Sequence, residues 1–281
     1  MIKDIITDTS KFKLLKKDVT TTRQTKLQNY LLKLKKKGAF KQDEYNKIYP
    51  RGSGIARIYG LPKIHKLDNL EDKDNVNQKL KVRPIISSIG TYNYNLAKFL
   101  TKKLTPYIPN EYTAKDTFSF VKELNDIEFT DKYLISFDIV SLFSNIPLDE
   151  TIKLSVDILL KNEPDLKINR EELTRLFEFA TAESHFLFEG NVYDQVDGVS
   201  MGSPLSPVFA NIFMGHHEKI WLNNCDSSKP LMYRRYVDDI FCLFNNETEA
   251  FSFLEFLNKQ HPNVKFTYES EKKRETAIFG H

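Results

Sequence analysis

Tryptophan occurs once and cysteine twice among 281 residues. Cys225 and Cys242 have no ligand-like neighbours, so they offer neither a disulfide framework nor a zinc site. Reduced thiols of an intracellular protein are the expectation. No uninterrupted apolar stretch approaches the ~18–20 residues of a membrane-spanning helix, so no membrane is expected among the partners. The N-terminus lacks an apolar segment flanked by a cleavage-like site, which speaks against secretion. Repeats and low-complexity tracts are missing as well. What is present is 41% apolar, with 21 Phe and 13 Tyr. That composition suits one large or two modest folded domains and excludes a disordered chain.

The net charge of +3 conceals an asymmetry. Residues 1–60 carry 15 Lys/Arg against 5 Asp/Glu, a balance of +10, and the remainder has a balance of −7. A basic front and an acidic back suit a protein that grips phosphate with one part and metal with another. A solvated lysine-rich helix over 11–37 would account for the basic part equally well.

Leu27, Tyr30, Leu31 and Leu34 recur at helical spacing among Lys33, Lys35, Lys36 and Lys37, with Gly38 as a stop. After the break Pro50-Arg51-Gly52-Ser53-Gly54, residues 55–59 and 82–87 read as strands. Together they suggest a hairpin carrying Arg57, Lys63, Lys66, Lys81 and Arg83. Helices are expected at 93–104, at 116–125 with Asp116 as N-cap, at 149–161 capped by Asp149, at 170–183, 204–223 and 248–260. Strands are expected at 133–138 and 264–269, and hairpins at 186–193 and 232–244. Strands interspersed with helices, without regular alternation, favour an α+β fold with a sheet covered on one side.

Charged side chains in apolar, strand-like runs are costly unless compensated. Asp138 ends the run Tyr133 to Phe137, and Asp238-Asp239 sits inside Tyr233 to Phe244. A hard divalent cation such as Mg²⁺ compensates converging carboxylates. Two such ions, ~3.5–4 Å apart, clamp the attacking and leaving oxygens in phosphoryl transfer. Asp138 and Asp238 are the primary candidates. Adjacent strand residues face opposite sides, so Asp239 joins them only if a turn falls at the pair.

Phe143, five residues past Asp138, is either core beside Leu142 or an aromatic that presses on a nucleotide sugar and excludes a 2′-hydroxyl. The loop from Gly198 to Pro207 is punctuated by glycine and proline and feeds a helix, whose N-terminus can face a phosphate. Arg83, held extended by Pro84, could neutralise a triphosphate together with Lys63 and Lys81.

These blocks, in this order, resemble the motifs of reverse transcriptases. Ser136-Phe137-Asp138-Ile139-Val140-Ser141-Leu142-Phe143-Ser144-Asn145-Ile146-Pro147 looks like their first catalytic motif. Gly198–Pro207 resembles the template- and primer-positioning loop, and Tyr236-Val237-Asp238-Asp239 the catalytic Tyr-x-Asp-Asp box. Tyr59-Gly60-Leu61-Pro62-Lys63-Ile64-His65-Lys66 and Arg83-Pro84-Ile85 are similar to the finger motifs of Penelope-like retroelements.

The resemblance implies a right-hand polymerase whose antiparallel palm sheet packs against helices, with a basic helical segment over 1–50 and fingers and palm over 51–281. It implies an RNA template, a DNA primer, dNTP, and two Mg²⁺ ions, with Mn²⁺ as the alternative. Asp138, Asp238 and Asp239 would be catalytic metal ligands, joined by the backbone carbonyl of Ile139. Lys63, Lys81, Arg83, Phe143, Met201 and Gly202 would surround the nucleotide, and Ser203, Pro204, Ser206, Pro207 and Tyr236 the template and primer. Met201 stands where many relatives have Gln, and Lys272 or Lys273 is the nearest counterpart of the family's general-acid lysine. The resemblance further implies action at chromosome ends or nicks, hence a nuclear location. The family generally continues into a thumb and often a GIY-YIG endonuclease, which are not expected within these residues. Two alternatives stand beside it: an inert copy that only binds nucleic acid, and a palm-fold nucleotide cyclase.

Overall fold

The computed structural model describes residues 2–62, 82–225 and 228–269. In chain order, helix α1 (Ile2–Ile6) leads into strand β1 (Phe12–Leu15) and helices α2 (Thr20–Lys36) and α3 (Gln42–Ile48). Strands β2 (Ala56–Pro62) and β3 (Val82–Ser87) precede helices α4 (Tyr94–Leu104) and α5 (Thr117–Asn125). Strand β4 (Tyr133–Ile139) is followed by the single turn α6 (Leu142–Asn145), then α7 (Leu148–Asn162) and α8 (Arg170–Ala180). Strands β5 (Ser184–Phe188) and β6 (Asn191–Gln195) lead to helix α9 (Ser206–Asn223). Strands β7 (Met232–Tyr236) and β8 (Asp239–Phe244), helix α10 (Glu247–Gln260) and strand β9 (Phe266–Glu269) complete the described elements. They divide into two compact units, Met1–Tyr107 with Ile146–Phe209, and Ile108–Asn145 with Ala210–His281.

The first unit holds a five-stranded sheet in the order β1-β6-β5-β2-β3. β2 and β3 pair antiparallel, with Arg57 opposite Ser87 and Leu61 opposite Arg83, as the hairpin reading requires. Residues 63–81 between them, including Lys63 and Lys81, lie outside the described residues. β5 and β6 form a second hairpin across Glu189-Gly190, both with positive φ, the backbone that matches strand twist in a two-residue loop. Phe12, Ile58, Ile86 and Phe186 bury the centre of this sheet.

Residues 12–15 correct the helical expectation for 11–37. They form β1, an edge strand paired with β6, and the helix begins only at Thr20. Backbone pairing to a neighbouring strand outweighs the local helical composition there. Residues 1–50 consequently belong to the same compact unit as β2 and β3. In α2, Leu27, Leu31 and Leu34 form the buried stripe. Asp149 also departs from expectation. Pro147 occupies the cap of α7, Asp149 lies in the first turn, and the Leu148 amide donates to Asp197 Oδ1 at 3.2 Å.

A largely buried polar chain, open to solvent at Asp18, ties α2 to β5 and β6. Arg23 donates to both carboxylate oxygens of Asp194 at 2.8 and 2.6 Å, and its Nη1 lies 3.1 Å from His185 Nδ1. His185 Nε2 is 2.8 Å from Thr20 Oγ1, whose hydroxyl donates to Asp18 at 2.6 Å. The arrangement suits a neutral imidazole that donates through Nε2 and accepts at Nδ1. Burial first, and then the Arg23 charge, push the His185 pKa below its ordinary value.

The second unit holds an antiparallel sheet in the order β7-β8-β4-β9. Ile135, Phe137, Ile139, Ile240, Cys242 and Phe244 alternate onto one face and are buried. Phe253 of α10 meets Phe137 and Phe244 there, and Trp221 of α9 meets Phe266 edge-on. On the opposite face, Phe120 of α5 packs edge-on against Phe241 at 5.2 Å, and Arg234 pairs with Glu123. Cover is therefore not confined to one side. Cys225 and Cys242 are buried and free. Burial, reinforced by the Glu218 charge, pushes the Cys242 thiol well above its ordinary pKa, which leaves it an inert packing group. Among the described residues no helix is long and apolar enough to cross a membrane.

Candidate active site

β7 and β8 are joined by only two residues, Val237 and Asp238, with Tyr236 paired to Asp239. Val237 has φ +58, whereas Asp238 keeps a negative φ. Positive φ at the first loop position alone is the pattern of a type II′ turn, which favours Gly there. A β-branched residue in this conformation is strained by about 1–3 kcal/mol.

The turn decides how the carboxylates meet. Asp138 lies directly opposite Asp239 across the β4–β8 pair, so both side chains share one face. Asp238 is the last loop residue, and its carbonyl accepts from the Ile139 amide at 2.9 Å, which fastens the hairpin tip to the end of β4. All three acidic residues thus gather at one end of one sheet. Asp239 is the residue in register with Asp138, and Asp238 approaches from the turn. Asp239 is exposed, and Asp138 and Asp238 are half-buried. Ile139 is buried, and Tyr236 is 61% exposed. Phe143 lies on α6, half-buried, while Leu142 beside it takes the core position.

Residues that the sequence did not single out hold this tip. The Arg235 side chain is fully buried and ion-paired with Glu218 of α9, Nε to Oε1 at 2.6 Å and Nη2 to Oε2 at 3.2 Å. Its Nη1 donates to Asn211 Oδ1 at 3.0 Å and to the Val237 carbonyl at 3.1 Å, and its Nη2 to Thr113 Oγ1 at 3.5 Å. All five guanidinium donors are thereby engaged. Tyr233 donates to the same Glu218 oxygen at 2.8 Å, and burial followed by the Glu218 charge pushes its pKa well up. For Arg235, burial pulls the pKa down, but the Glu218 charge and hydrogen bonds outweigh it and the net direction is upward. The sequence shows only an adjacent pair, Arg234-Arg235, before Tyr236, with nothing to separate the buried arginine from the one that pairs with Glu123.

In the first unit, the loop before α9 closes onto β3. The Ile86 amide donates to the Met201 carbonyl at 3.1 Å, Ser200 Oγ to the Ile86 carbonyl at 3.2 Å, and Ser88 Oγ to the Gly202 carbonyl at 2.7 Å. Gly202 has φ +143, and a Cβ there would lie 2.3 Å from the Ile86 carbonyl oxygen. Only glycine fits this approach. The Ser206 hydroxyl bonds to the Ser200 carbonyl, and α9 begins at Ser206, two residues later than expected. Met201, Ser203 and Pro204 are half-buried, Ser206 is buried and Pro207 exposed. Arg83 is exposed on β3. Lys272 and Lys273 lie outside the described residues.

Asp138, Asp238 and Asp239 offer oxygen donors of the kind a divalent cation takes. Here the donors are oxygens only, and their partial exposure admits an ion that keeps part of its hydration shell, the habit of Mg²⁺.

Among solved structures, telomerase of Candida albicans in complex with a fragment of telomeric RNA matches at 12% identity and TM-score 0.52, over 96% of this chain and 52% of that one. Telomerase of Candida tropicalis in a corresponding complex matches at 13% and 0.53, over 78% and 41%. An RNA-dependent RNA polymerase, vp4, matches at 11% and 0.53, over 90% and 26%. The chain thus spans about half, or less, of the structures it matches. At these identities the likeness is one of fold, that of a right-hand polymerase. No curated protein matches closely enough to count as a relative. The sequence itself matches the family described as reverse transcriptase (RNA-dependent DNA polymerase) over residues 70–277. With the motif order, the paired carboxylates and this match in agreement, the chain belongs to the reverse transcriptase family.

Proposed function

We propose that this chain is the fingers and palm of an RNA-directed DNA polymerase of a retroelement, of the Penelope-like type. The observation that carries the proposal is the pairing of Asp138 with Asp239 across β4 and β8, with Asp238 on the adjoining turn. The reaction joins a primer 3′-hydroxyl to the α-phosphate of a dNTP and releases pyrophosphate.

Asp138, Asp238 and Asp239, with the Ile139 carbonyl, would hold two Mg²⁺ ions, or Mn²⁺ in their place. Such ions, when bound, supply charge neutralisation at the attacking and leaving oxygens. The rest is alignment by the protein. Phe143 meets the sugar of the incoming nucleotide, and Arg83 with Lys63 and Lys81 neutralises the triphosphate. Met201 and Gly202 line the nucleotide, with Gly202 bringing the loop backbone close. Ser203, Pro204, Ser206, Pro207 and Tyr236 position template and primer. The basic residues of 1–50 hold nucleic-acid phosphate. Synthesis of this type is primed at chromosome ends or nicks, which puts the protein in the nucleus.

Purified protein, an annealed DNA primer on an RNA template, and dNTP test this directly. Mg²⁺-dependent extension is expected. Salt-sensitive binding without extension marks a nucleic-acid binder instead, and template-independent turnover of a nucleotide marks a cyclase.

A further inference from the structure

Val237 occupies a backbone conformation suited to glycine, yet it shapes the turn that presents two of the three candidate metal ligands. Strain of this kind persists only where the surroundings over-determine it. The carbonyl of Val237 accepts from Arg235 Nη1 at 3.1 Å, from beneath the sheet. Arg235 pairs with Ile240, one step along from the Tyr236–Asp239 pair, so its side chain leaves the face opposite Asp138 and Asp239. It is therefore no ligand and touches no substrate. Its remaining four donors are consumed by Glu218, Asn211 and Thr113, so the guanidinium cannot swing away without breaking several bonds. Its backbone is fixed as well, the amide donating to the Tyr112 carbonyl at 2.8 Å and the carbonyl accepting from the Ala114 amide at 2.9 Å.

We propose that Arg235, anchored by Glu218, is the positioning residue that holds the Val237–Asp238 tip in the conformation aiming Asp238 and Asp239 at a shared divalent cation. The proposal rests on the metal-dependent polymerase assignment and adds a device to it. One bond from a buried group that four others fix in place holds a turn that its own sequence disfavours.

Removing Arg235 alone strands a buried Glu218 carboxylate and destabilises the fold whatever the role of the pair. Replacing both, Arg235→Met with Glu218→Met, removes the charges together, and such paired replacements are often neutral in stability. In the full chain without nucleic acid, Mn²⁺ alone is titrated by electron paramagnetic resonance, alongside thermal unfolding. The expected result is a double variant that melts near wild type but binds Mn²⁺ about tenfold more weakly, as loss of one well-placed hydrogen bond at the tip allows. Val237→Gly in that background takes the left-handed turn without strain and should return the affinity towards wild type. If the double variant does not fold, Arg235→Lys, which keeps the charge but not the five-donor fork, gives the same readout. Unchanged Mn²⁺ affinity in the folded variant, or a glycine variant no better than its parent, overturns the proposal. Extension by the wild-type protein is scored separately, so a failed polymerase assignment is not mistaken for a failed clamp.

Discussion

Asp138 and Asp239 oppose each other at the end of β4 and β8, and Asp238 follows a strained Val237. The three carboxylates were legible because acidic residues in apolar strand runs are exceptional. Which of the adjacent pair lies in register was not, because a valine at φ +58 gives no turn signal of the kind Gly or Asn would. Arg235 was illegible for the same reason in reverse. Its partners Asn211, Glu218 and Thr113 are scattered through the chain and meet only in the fold. Phe143 belongs to the same scale. Half-buried beside the core residue Leu142, it has surface left to meet a sugar. Phe143→Ala should raise ribonucleotide incorporation relative to deoxynucleotide by tenfold or more, on the order of the discrimination one lost apolar contact supplies. Steady-state incorporation of matched dNTP and rNTP measures the ratio, and an unchanged ratio removes the gating role.

Between elements, β3 and the loop before α9 are clamped by three hydrogen bonds and one glycine contact. Gly202→Ala forces a Cβ against the Ile86 carbonyl and should cost about 2–4 kcal/mol. Gly54→Ala, which meets nothing within 4 Å, should be near neutral. Thermal or urea unfolding of both variants checks the contrast. The second such joint is His185, which faces Arg23, Asp18, Asp194, Glu183 and Tyr92. Its folded-state pKa lies below the unfolded value of about 6.5, so the unfolded chain takes up the proton first as pH falls. This contribution to stability is complete above about pH 6.5 and is lost progressively below it. His185→Gln should flatten the difference in melting temperature between pH 7.5 and 5.5, and an equally steep loss in the variant would exonerate His185. Helix α2 was visible in its apolar spacing, whereas β1 was not. Four residues carry too little periodicity, and β1 exists because β6 offers it an edge.

For the molecule as a whole, charge is divided unevenly along the chain. The basic first sixty residues lie in the first unit, and the carboxylate cluster lies in the second. The α+β class followed from irregular alternation, but the division into two units, each assembled from two separated chain segments, did not. Contacts between distant segments leave no local pattern in a sequence.

Metal-dependent catalysis at the sheet corner of Asp138, Asp238 and Asp239 is tested most directly by removing each carboxylate in turn. Three single variants, Asp138→Asn, Asp238→Asn and Asp239→Asn, are best assayed for primer extension on an RNA template with their folding verified by circular dichroism. Each should fold as wild type and extend at background level, a loss of three orders of magnitude or more if charge at the site supplies the bulk of the rate enhancement. Mg²⁺-dependent extension near the wild-type rate in any folded variant contradicts the assignment.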